Sequence, residues 1–405
     1  MLNLICRRNF GSVSKLHLLQ FHLCSSLSIS TPDYDSRNGN GDPFAVNYLS
    51  ERLGFSRECA LKAYTNVKFR SSRNPDSVLA FLEENGLSDA QIKHLIKRVP
   101  QILTLKPQDN LLPKIEFLRS LGISRDDIVK IIAVAGSFMR RSLENRIIPS
   151  FDFVKDMLKS EKDAVDVVKR FPSFLYMDLQ KTLCPNVDIL LEAGVPEINV
   201  RRLFKQRPRT LLMDPDESKE YVERIAEMGF SPQSANFVVG FAVMRRFCKS
   251  SWTKKMDVYK RWGYSEDHIL LAFRRYPQCI AKSEDKIDAV LDHIINRMGC
   301  DPSAFITFPA MMSLSLKITI IPRCSVYQVL KSKGLLYNGS ITGFLRHTKE
   351  KFLEKFVLPF VDEVPELLQL YPCDLSPPKG SLMIIHRPKN EKCKMPEQKD
   401  GPRGR

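Results

Sequence analysis

An all-α fold is predicted: a right-handed-type α-solenoid, or superhelix, of about eight helix-turn-helix repeats of roughly 32–36 residues. Three observations predict it. Basic residues followed by a proline and a short apolar run recur as "KRVPQIL" (97–103), "KRFPSFL" (169–175), "KQRPRTL" (205–211) and "RRYPQCI" (274–280). Pro100, Pro172 and Pro208 stand 72 and then 36 residues apart, so 36 is a candidate period. Inside the units, further prolines and glycines return at fixed offsets.

The units start near residues 64, 100, 136, 172, 208, 241, 277 and 309. Gly136 stands where the other turns carry proline. Thirteen residues after a start comes a second proline: Pro113, Pro149, Pro185 and Pro322. About 22 residues after most starts comes a glycine: Gly122, Gly194, Gly229, Gly263 and Gly299. Counting back from Gly86 and Gly263 places the starts near Tyr64 and Phe241. The unit at 136 lacks the glycine, and the last unit is stretched.

One unit shows the logic of all. In "NLLPKIEFLRSLGIS" (110–124), Pro113 suits the first turn of a helix, where its missing N–H costs nothing. Ile115, Leu118 and Leu121 lie at helical spacing. Gly122 suits the left-handed stop that follows. Ser124 then caps a second helix, with Asp127 at the capping-box position; Ser88 and Gln91 repeat the device. The next proline ends that helix, because the residue before a proline avoids the helical region.

The rest of the 405 residues frames this array. Residues 1–31 hold Arg7, Arg8 and Lys15, many serines and leucines, and no acid, the composition of an organellar transit peptide. Residues 32–43 read as a linker, 44–372 as the repeat domain, and the Pro- and Lys-rich 373–405 as a basic disordered tail. The formal charge of +16 favours a polyanionic partner, although about half of the excess lies in the two termini. No stretch has the roughly 20 apolar residues of a membrane span. The ten cysteines form no CxxC and no zinc-finger spacing, which reads as free thiols in a reducing compartment. There is no Walker loop, no HExxH and no GxGxxG between strand and helix. His94, His268, His293 and His347 are scattered and read as surface or capping residues. No enzyme activity, cofactor or metal is therefore expected.

Several strings resemble the plant branch of the mitochondrial transcription termination factor (mTERF) family: "PDSVLAFLEENGLSDAQI" (75–92), "RSLENRIIPS" (141–150), "VYKRWGYSEDHILLAFRRYP" (258–277) and "IIPRCSVYQVLKSKGL" (320–335). The resemblance covers about residues 44 to 372. It implies a helical superhelix in a mitochondrion, or alternatively a chloroplast. It implies binding of nucleic acid, double-stranded DNA first and RNA second, in transcription termination or initiation, intron splicing or ribosome assembly. The protein is expected to act as a monomer with no membrane partner. A solenoid that instead holds a protein on its concave face is the reading from a different class.

Stacked repeats bring equivalent positions side by side. Lys97, Arg98, Lys169, Arg170, Lys205, Arg207, Arg274 and Arg275 are thus expected on one edge, extended by Arg140, Arg141, Arg245 and Arg246. Such an edge would contact phosphates without reading sequence. The same residues also suit helix C-termini, where the dipole welcomes positive charge. Trp252 and Trp262 are read as core rather than as base-stacking platforms. The apolar runs after the prolines are read as packing between repeats.

Overall fold

The computed structural model describes residues 43–336 and 339–371, and among them there is no strand. The segments expected to be a transit peptide (1–31), a linker (32–43, apart from Pro43) and a basic tail (373–405) lie outside the described residues. Contacts divide the chain into two units, the first ending at Leu314 and the second beginning at Ser315.

In the first unit the predicted grammar is visible residue by residue. The helix Leu112–Ser120 closes as Gly122 N–H donates to Arg119 O (2.9 Å) and Ile123 N–H to Leu118 O (3.3 Å). This paired closure needs a residue in the left-handed region, and Gly122 supplies φ 74°. The unit that lacks the glycine uses Lys159 there, at φ 53°, the one non-glycine with positive φ among the described residues. Ser124 then accepts a hydrogen bond from Asp127 N–H (3.3 Å) and caps the helix Arg125–Ala135. Ser88 and Gln91 form the full capping box at the start of Asp89–Arg98.

The second helices stop where the sequence says they must. Val99, Phe171, Arg207 and Tyr276, each before a proline, have φ of −137°, −134°, −142° and −152° and cannot continue a helix. The prolines open short 3-10 turns: Pro100–Thr104, Pro172–Leu175, Pro208–Leu212 and Pro277–Cys279. The apolar residues that follow are buried, including Ile102, Leu103, Phe174, Leu175, Leu211 and Cys279. The turn Pro172–Leu175 packs against Ile148–Leu158 and Arg125–Ala135 of earlier repeats, the packing between repeats expected of these runs, and Phe174 stacks on Phe204 within its own repeat (5.9 Å, 6°). The turn Gly136–Arg140 has no proline for a steric reason. A Cβ at Gly136 would meet Leu95 Cδ1 at 2.0 Å.

Polar side chains of first helices fasten the turns that follow. Asn186 Nδ2 donates to Leu211 O (3.0 Å) and Met213 O (2.9 Å), and Asn74 Nδ2 to Leu103 O (2.7 Å) and Leu105 O (3.2 Å). Tyr259, fully buried, donates its hydroxyl to Cys279 O at 3.1 Å. These carbonyls face no partner inside so short a turn, so a buried donor from the preceding repeat satisfies them.

Two local expectations are revised, while Pro113 and Pro149 lie in the first turn of their helices as expected. Wide turns, Pro107–Leu111 and Leu143–Ile147, precede them, closed by Leu112 N–H to Pro107 O and Ile148 N–H to Leu143 O. The extra residue in such a turn lets a helical segment pass through a proline that would otherwise press on the carbonyl one turn back. Pro185 lies inside the helix Leu179–Glu192. The starts placed at Tyr64 and Phe241 fall within Arg57–Tyr64 and Ala235–Met244, whose breaks come just afterwards and carry no proline. One helix pair was missed altogether, Phe44–Leu53 and Arg57–Tyr64, with Gly54 at φ 67° and Ser56 as cap. Its signal is "GFS" at 54–56, matching "GLS" (86–88), "GIS" (122–124) and "GYS" (263–265).

The second unit keeps the same devices. Leu316–Ile320 is another wide turn before Pro322, and it leads into Ile321–Ser332. Val326, Leu330, Phe344, Phe352, Val357, Val364, Leu367 and Tyr371 form its core. Arg323, 3% exposed, donates to Leu345 O (3.2 Å) and His347 O (2.6 Å) and lies 4.6 Å from the Phe352 ring centroid. No described helix is long and apolar enough to cross a membrane.

Candidate nucleic-acid interface

The sequence places basic residues in the last turn of a second helix, just before each proline. There the last four carbonyls of the helix lack partners and carry the negative end of its dipole. The structure shows what each basic side chain does in that setting, and the twelve expected residues part into three groups.

Five arginines bind backbone carbonyls of another repeat. Arg98 Nη1 donates to Val134 O (3.0 Å), Arg170 Nη2 to Lys205 O (2.7 Å) and Arg275 Nη1 to Ile306 O (2.7 Å). In all three the acceptor lies in the last turn of the next second helix. Arg274 Nη1 donates to Met228 O (2.9 Å), and Arg245 Nη1 to Arg209 O. These guanidinium groups clamp one repeat to another.

Two lysines hold carboxylates. Lys169 Nζ lies 2.6 Å from Asp127 Oδ2, and Lys205 Nζ 2.8 Å from Asp163 Oδ2. The hydrogen bond to Asp127 raises the Lys169 pKa, and hydrogen bonds from Lys169 and then Lys130 pull the Asp127 carboxyl down to about 2. Both partners are therefore charged at neutral pH.

The side chains of the remaining five make no hydrogen bond or ion pair among the described residues. Lys97, Arg140, Arg141 and Arg246 are exposed, and Arg207 is half-buried. Arg140 and Arg141 lie at the end of the Gly136 turn, which packs against the turn Pro100–Thr104 that follows Lys97. The turn Pro277–Cys279 packs in the same way against Pro309–Ser313.

One cation was overlooked because it follows its proline instead of preceding it. Exposed Arg209 places its guanidinium 4.9 Å from the centroid of the Phe171 ring, which Arg170 also approaches at 5.8 Å. The contacts Arg170–Lys205, Arg209–Phe171 and Arg245–Arg209 join three successive repeat boundaries. Asn236 was missed as well; its Nδ2 donates to Arg274 O and Arg275 O, both at 3.0 Å. A neutral amide beside a helix end leaves no compositional trace in one sequence.

The tryptophans have protein partners. Trp252 packs edge-on against Phe273 (5.2 Å), and Trp262 Nε1 donates to Asp288 Oδ1 (2.7 Å). Phe171 stacks on Phe174 at 6.0 Å. Trp252 and Phe171 thus have ring partners within the protein, and Trp262 is held through its ring N–H. Among the described residues, no group of three or more His, Cys, Asp or Glu is placed to hold a metal ion.

Among known families, residues 79–245 and 239–353 match the mTERF model. No curated protein matches the chain significantly.

Proposed function

Because the chain belongs to the mTERF family, whose members are organellar nucleic-acid-binding regulators, we propose that it binds double-stranded DNA along the proline-turn edge and regulates organellar transcription, at termination or initiation. The observation that carries this reading is the set of cations left over after the repeats have been clamped: Lys97, Arg140, Arg141, Arg207 and Arg246. These five have no protein partner among the described residues, and a phosphate backbone would supply one.

Duplex is favoured over single strand by the state of the rings. Single-strand binders stack bases on free aromatic faces, whereas Trp252 and Phe171 pack on Phe273 and Phe174. Phosphate contacts position a duplex without reading it. The mitochondrion is the proposed compartment and the plastid the alternative, since the acid-free first 31 residues suit either.

The test is binding of a labelled duplex and of single-stranded RNA of the same sequence, each over a range of salt. The reading expects tighter binding of the duplex and a steep loss with salt. Stronger retention of the RNA, or binding indifferent to salt, would overturn it.

A further inference from the structure

Lys169–Asp127 and Lys205–Asp163 are one contact made twice, since both lysines and both aspartates stand 36 residues apart. Each aspartate sits three residues after a capping serine, Ser124 or Ser160, which accepts a hydrogen bond from its backbone N–H. The carboxylates are therefore fixed to helix N-termini. The lysines are more exposed than their partners, 36% against 24% and 51% against 23%, and each Nζ is the mobile end of a long chain.

The flanking repeats make the pairing informative. Position 91, one period before Asp127, holds Gln91, which completes a capping box. Position 199, one period after Asp163, holds Asn199, whose Nδ2 donates to Gln233 O at 3.4 Å. The positions facing them in the lysine register are Ala133 and Phe241. In this register a carboxylate stands only where a lysine faces it.

We propose that Asp127 and Asp163 act as built-in stand-ins for phosphate, occupying Lys169 and Lys205 until a nucleic-acid backbone displaces them. This rests on the proposed function and specifies how that site is regulated. Exposed ion pairs are weak, so a phosphate can take the lysine over at little cost. A lysine that must give up a carboxylate before it can neutralise a phosphate gains less from the exchange, so these two repeat boundaries add less to affinity than the unpaired Arg140 and Arg141. Binding accordingly begins at the Lys97–Arg141 end and extends toward Lys205 only as the two lysines change partner.

The experiment compares duplex binding by the full chain with that of the double variant Asp127→Asn and Asp163→Asn. Asparagine keeps the shape, and the serine caps use backbone N–H groups that the change leaves alone. Two references are needed. Glu220→Gln with Glu223→Gln makes the same change in net charge on exposed residues of the helix Pro215–Glu227. Lys169→Gln with Lys205→Gln, and Lys130→Gln because Lys130 Nζ also lies 3.2 Å from Asp127 Oδ1, removes the partners. The proposal expects binding tighter by roughly two- to fivefold per aspartate, a smaller gain for the glutamate pair, and no gain from the aspartate change when the lysines are absent. The salt dependence should also steepen. A gain equal to that of the glutamate pair, a gain that survives without the lysines, or no gain would overturn it. Should the double variant melt early, Asp163→Asn alone gives the same readout. A parent chain that fails to bind duplex overturns the function itself and this proposal with it. A parent that binds while the variant gains nothing overturns the proposal alone.

Discussion

Replacing Arg170 with glutamine separates structural arginines from those left free for a ligand. Arg170 Nη2 donates to Lys205 O at 2.7 Å, its Nε to Asp166 O at 3.1 Å, and its guanidinium lies 5.8 Å from the Phe171 ring centroid. Charge-assisted hydrogen bonds contribute about 1.5–3 kcal/mol when shielded and less in an exposed setting. The ring contact adds at most about 0.5–1 kcal/mol at a surface. Glutamine keeps nearly the same helix propensity, so the loss falls on the clamp, and Arg170→Gln should destabilise the protein by about 1–2 kcal/mol. Arg140→Gln, which breaks no contact among the described residues, should change stability by less than about 0.5 kcal/mol. Urea unfolding followed by circular dichroism reads both. Equal midpoints for the two variants would refute the assignment of Arg170 as a clamp between repeats.

Other substitutions probe the turns, and the thiols probe burial. Gly136→Ala should cost about 1–3 kcal/mol, because the new Cβ would meet Leu95 Cδ1 at 2.0 Å, and the same change should cost less when made in a Leu95→Ala background, each pair compared in the same urea assay. Lys159→Gly should raise the urea midpoint by about 0.5–1 kcal/mol of stability, since a side chain at φ 53° is strained; a lowered midpoint would contradict this. Exposed Cys248, with its thiol pulled down to about 6 by hydrogen bonds from Ser250 and Ser251, should be alkylated at pH 7 well before Cys279, which burial pushes up to about 12. Peptide mass spectrometry against time measures the order, and faster loss of Cys279 would show that its surroundings open in solution.

The helices were legible because proline and glycine act through the backbone. Pro100 and Pro172 end helices whatever surrounds them, and Gly122 answers a demand of its own turn. Asp127 and Ser124 were readable for the same reason. The wide turns before Pro113 and Pro149 were not, since they depend on how the helix accommodates a ring one turn further on. Neither were the clamps. Arg98 and Arg140 look alike in sequence, both basic and both beside a turn, yet only Arg98 reaches a carbonyl, that of Val134, 36 residues away. That difference is set by the stacking of one repeat on the next. Arg209 acts across its proline from the other side, and Asn236 reaches Arg274 O from the preceding repeat, so neither falls in the pattern of basic residues before a proline.

The central claim is that the cations left free at the proline turns meet phosphates, and the salt dependence of duplex binding tests it most directly. Each phosphate neutralised contributes a slope of about 0.9 to the fall of log affinity with log salt. Replacing Arg140 and Arg141 with glutamine should lower that slope by about 2, weaken all duplex sequences alike and leave the urea midpoint in place. An unchanged slope in a variant that remains folded would contradict the account.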